Sequence, residues 1–143
     1  MITWLLISGA VDAGPVEDWL RRLPLGIEGR SHHEAAVALA AGRPVAGRIS
    51  PPDGKDVPVR FRVDEHGLTV EMDGPAGDDP WWTRLVTEAG RSLSADTVAL
   101  VDDISALLPR LLWVSPTATG DFTDARRQAV RVESLDGALL LHR

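Results

Sequence analysis

Apolar and polar positions along this chain repeat with two different periods, and each change of period marks an element. "ITWLLIS" (residues 2–8) is a near-continuous apolar run, which predicts a buried central strand. From Pro15 the spacing becomes helical. Val16, Trp19, Leu20 and Leu23 share one face, and that helix should stop before Pro24. Pro15 suits a first helical position, with Glu17 and Asp18 in the first turn complementing the helix dipole. Ser31 and Glu34 form a capping-box pattern ahead of the Ala-rich "AAVALAA", a second helix that Gly42 ends.

Period two returns in "VPVRFRVDEHGLTVEM". Val59, Phe61 and Val63 alternate with Arg60 and Arg62; beyond the turn, Leu68, Val70 and Met72 alternate with Thr69 and Glu71. This is a hairpin with one wet face, on which the two arginines can pair with Glu71. Asp79 as N-cap and Pro80 at the first helical position open a third helix. Trp82, Leu85, Val86, Ala89 and Leu93 fall on it within a stripe about 100° wide, which makes Trp82 core and leaves Trp81 at the margin. After "SLSAD", Leu100, Val101, Ile104, Leu107 and Leu108 share one helical face, so a fourth helix ending at Pro109 is preferred to a strand at "TVALV". "LLWVS" reads as a buried strand and "PTATGDFTDARR" as a loop with one helical turn. Asp136-Gly137 between two apolar runs signals a two-residue hairpin.

The expected order is therefore β-α-α-β-β-β-α-α-β-β-β. It implies a single α+β domain over residues 1–143. Its mostly antiparallel sheet would have roughly six or seven strands, with three or four helices packed on one face. A helix pair followed by a three-stranded meander can be read twice, an internal pseudo-repeat without residue-level identity.

Composition narrows the function classes. At 143 residues and 44% apolar, the chain is long enough for one real core. No cysteine is present, which excludes thiol catalysis, disulfides and thiolate metal sites, and makes cytoplasm the default compartment. The N-terminal run resembles a secretory h-region, yet it lacks a basic flank and meets Asp12 where a cleavage site belongs, so a strand is expected. No apolar run reaches the roughly 18 residues of a membrane span. Only Lys55 is lysine and asparagine is absent, the coding bias of a GC-rich bacterial genome.

Charge is uneven. Between Asp64 and Asp103 lie ten acids and two bases, while the remainder holds eleven acids and thirteen bases. An acidic middle segment disfavours direct nucleic-acid binding and suits a basic protein partner. Its least ordinary residues are Asp78, Asp79 and Trp81: an aromatic anchor with an acidic rim, to which Asp102 and Asp103 add charge. The leading expectation is a non-catalytic protein-binding module, of immunity, inhibitor or regulator type, with these five residues facing the partner.

Two alternatives use other residues. His32 and His33 stand at a helix start, where neutral imidazole is favoured and could serve a small enzyme if Asp12 or another carboxylate came within reach. The apolar C-terminal "ALLLHR" could pair across a homodimer interface as an exposed edge. No catalytic or metal motif and no cofactor is expected. The histidines lack metal-ligand spacing, "SGAVDAG" lacks a phosphate-loop pattern, and His66 and His142 read as surface residues.

Overall fold

The structure, a computed structural model, describes residues 2–52, 55–106 and 108–143. Its elements in chain order are β1 (Thr3–Ser8), α1 (Ala13–Arg22), β2 (Leu25–Ile27), α2 (His32–Ala40), β3 (Val45–Ile49), β4 (Val57–Val63), β5 (Gly67–Met72), α3 (Pro80–Ser92), β6 (Thr97–Val101), β7 (Leu111–Val114), α4 (Thr123–Gln128), β8 (Arg131–Leu135) and β9 (Ala138–His142). The class is α+β, but the sheet is larger than expected. All nine strands join one sheet in the order β2-β3-β4-β5-β1-β6-β7-β9-β8, and every pairing is antiparallel.

Three helices build one layer. α1 packs on α2 and α3, α2 lies over β3 and β4, and α3 lies over β1, β6 and β7. The core between layers holds Leu5 and Ile7 of β1, Val59 and Phe61 of β4, Val98 and Leu100 of β6, and Trp19, Leu39 and Val86 of the helices. Trp19 meets Phe61 edge-on, with ring centroids 6.2 Å apart. Helix glycine is normally unfavourable by about 1 kcal/mol, yet Gly90 has a reason. A Cβ there would come within 2.4 Å of the Trp113 ring, so α3 approaches β7 only because that side chain is missing.

Several local readings hold. Ser31 and Glu34 form the capping box, Asp79 accepts a hydrogen bond from the Trp81 N–H, and α1 ends before Pro24. Asp136 and Gly137 adopt φ of 52° and 87°, the left-handed pair of a tight hairpin turn. Others are corrected. α1 begins at Ala13, two residues before Pro15, so Glu17 and Asp18 are not in its first turn. The three-residue β2 was not foreseen.

The expected fourth helix is strand β6 followed by a loop. Val98 and Leu100 face the core and Ile104 is 80% exposed, so period two wins over the helical stripe. Leu107, assigned to that stripe, lies outside the described residues, as do Asp53 and Gly54 of the "PPDGKD" loop. With this helix gone, the second helix pair disappears and the chain order shows no repeat. The C-terminal strand is not an edge either. β9 lies between β7 and β8, and the edges are β2 and β8.

The second face of the sheet carries no α1–α3 layer. Cross-strand register places Trp4 and Leu6 of β1, Ala99 and Val101 of β6, Leu112 and Val114 of β7, and Leu139 and Leu141 of β9 on it together. Val114 and Leu141 are buried although they lie outside the main core. The β7-α4-β8 connection joins two parallel strands across β9, and α4 itself buries no residue. Toward β1 the apolar face is uncovered, with Ile2 38% and Leu6 39% exposed, and at the far edge Val132 of β8 is 41% exposed.

Candidate functional site

The residues expected at a partner surface are distributed over three environments. Asp78 and Asp79 precede α3 and line a cleft of about 510 Å³ between the start of that helix and the β8–β9 hairpin. Across from them stand Arg110, Arg131, Glu133, His142 and Arg143, with Trp82 and Arg84 on the helix side. Asp102, at the end of β6, reaches the same place. Its carboxylate accepts from Arg110 Nη1 at 2.8 Å and from Arg143 Nη2 at 2.7 Å, while Arg110 Nη2 donates to Asp78. Asp103 turns away and accepts from the N–H and hydroxyl of Ser105. Trp81 is half-buried, edge-on to Trp82 with centroids 4.9 Å apart, so it is Trp82 that reaches the cleft.

Electrostatics follow from this geometry. Burial pushes the Asp102 carboxyl up, but the hydrogen bonds from Arg110 and then Arg143 outweigh it and hold the group below its usual range. Arg110 is raised, first by its bond to Asp102, against desolvation. Burial, with the Arg131 charge, lowers His142 and favours neutral imidazole. The acids are thus not a free negative patch. Asp78 and Asp102 spend their charge on arginines that pattern reading did not associate with them. No spacing signal could have found Arg110, Arg143 or His142, because the sheet order alone brings β7, β9 and the β6 terminus together.

The histidines at the start of α2 separate in role. His33 Nδ1 lies 2.5 Å from Glu17 Oε1 of α1, so a carboxylate is within reach, although it is Glu17 and not Asp12. The bond from His33 holds the Glu17 carboxyl low, with Arg21 assisting. The His33 side chain is 70% exposed, in a shallow depression with Arg30, Glu34, Val37, Ala38 and Arg43. Among the described residues no group of three or more His, Asp or Glu is placed to hold a metal ion, and no helix is long and apolar enough to cross a membrane.

The most unusual surface is the uncovered sheet face. On β4 and β5 it is polar, presenting Arg60, Arg62, Thr69 and Glu71, and Arg62 meets Glu71 at 3.8 Å. One strand further, at β1, it becomes apolar. No protein-family model, curated protein or solved structure matches this chain.

Proposed function

We propose that the chain is a non-catalytic protein-binding module whose partner covers the apolar half of the open sheet face. One observation carries this reading: a contiguous set of Ile2, Trp4, Leu6, Val101 and Leu112 on the face that α1–α3 leave open. An antiparallel sheet with one solvated face normally alternates apolar and polar residues. Here Ile2 and Leu6 are exposed beside the half-buried Trp4, Val101 and Leu112, an apolar patch with a polar rim of the kind interaction sites present. Arg60 and Arg62 border the patch, and Arg60 makes no ion pair among the described residues. The partner is therefore an apolar protein surface flanked by carboxylates. The basic partner suggested by the acidic segment has less support, since Asp78 and Asp102 are matched by Arg110 and Arg143.

The enzyme alternative has the His33–Glu17 contact in its favour. At 70% exposure, however, the His33 imidazole lacks the dry surroundings that make such a pair effective. Binding is the reading we adopt.

The test is photo-crosslinking in native cell extract with a benzophenone side chain at position 6, against the same probe at position 62. Adducts to one protein at position 6, lost when unlabelled wild type competes but retained when a Leu6→Ser, Val101→Ser variant competes, support the reading. Adducts of equal yield at both positions, or none at position 6, refute it.

A further inference from the structure

We infer that two copies of this chain pair through strand β8, antiparallel about a two-fold axis at Val132, to continue the sheet from one subunit into the other. The two edges of the sheet are unlike. β2 has only three residues, follows Pro24 and contains Gly26, so it offers little backbone to a new strand. β8 has five residues and no proline or glycine. It also bears two of the six most exposed large apolar side chains, Val132 within the strand and Val130, 84% exposed, just before it.

Backbone alternation limits the register and side-chain charge selects it. In a two-residue hairpin the closing pair, here Leu135 and Ala138, exchanges hydrogen bonds, and the ladder then alternates. Glu133 and Arg131 spend their backbone groups on β9; Val132 and Ser134 turn theirs outward. With these groups turned outward, a symmetric pair can be centred on Val132, on Ser134, or between their hydrogen bonds on Glu133. The side chains then decide. Centring on Val132 sets Arg131 opposite the partner subunit's Glu133 and Glu133 opposite the partner subunit's Arg131, with Val132 against its own counterpart. Centring on Glu133 would oppose like charges. Within one chain Arg131 already contacts Glu133. Pairing therefore exchanges one ion pair for its intermolecular equivalent, so charge chooses the register, and the backbone bonds and valines supply the association. Five residues of edge make a small contact, so dimerisation depends on concentration in the micromolar range or above.

Sedimentation-velocity ultracentrifugation over a concentration series tests this. Wild type should move from the 15.4 kDa monomer to twice that mass. Arg131→Glu alone and Glu133→Arg alone should each remain monomeric at concentrations where wild type is dimeric, because each places like charges opposite one another. An equimolar mixture of these two variants should regain the dimer, since every Glu then faces an Arg. That recovery also excludes misfolding as the cause of the losses. A wild type that stays monomeric at every concentration overturns the proposal. So do single variants that dimerise like wild type, a mixture that fails to recover, or a dimer abolished by Leu6→Ser but not by Arg131→Glu, which would place a second copy on the open face instead.

Discussion

The sheet has two halves built by different rules. In β4 and β5 each strand alternates: Val59, Phe61, Val70 and Met72 face the helices, while Arg60, Arg62, Thr69 and Glu71 face water. In β1, β6, β7 and β9 both faces are apolar, yet α1–α3 cover only one of them. The first half is finished as a monomer. In the second, Val114 and Leu141 are buried on the far face while Leu6 of β1 is left exposed. A continuous apolar strand thus need not be wrapped on both sides by its own chain.

The most sensitive way to break this comparison uses neighbours in β1. Leu5 is 1% exposed and Leu6 39%. Leu5→Ala should destabilise by about 2–5 kcal/mol, as buried leucine truncations do, and Leu6→Ala by less than about 1 kcal/mol. Equal losses in urea unfolding would mean that the second face is covered after all.

The next effect concerns the cleft. Asp102→Asn leaves Arg110 and Arg143 without their shared carboxylate, whose side chain is 13% exposed. Allowing for partial solvent screening, the loss is about 1–3 kcal/mol at neutral pH. Asp102 is held below its usual 3.8, so its contribution is complete above that value and disappears as pH falls through the lower folded-state pKa. Wild type and variant should converge in stability as pH falls from 3.8 through the lowered folded-state pKa; a difference unchanged by acid would deny the ionic origin. The smallest effect is Arg62→Ala. Its 3.8 Å contact with Glu71 is half-exposed, worth a few tenths of a kcal/mol, and thermal unfolding should barely shift.

The alternating half of the fold was legible because periodicity there has one meaning. The β4–β5 hairpin, the capping box of α2, the Asp79 cap and the Asp136-Gly137 turn all have local causes in neighbouring residues. The apolar half was not. Leu100, Val101 and Ile104 fit a helix stripe as well as a strand, and only pairing of β6 with β1 and β7 decides between them. Sequence placed Asp78, Asp79 and Trp81 together because they adjoin. It could not pair Asp102 with Arg143, 41 positions away, and the charge balance of the cleft depends on such pairs. The uncovered face was not visible: the apolar runs were read only as central or buried strands, and nothing local marks Leu6, 39% exposed, as differing from Leu5.

The most direct measurement is the fluorescence of 1-anilinonaphthalene-8-sulfonate with the folded protein at neutral pH. The account predicts enhanced emission from wild type that falls sharply in a folded Ile2→Ser, Leu6→Ser variant and persists in Arg62→Ala. Folded wild type that binds no dye, or a serine variant that binds as much as wild type, would contradict it.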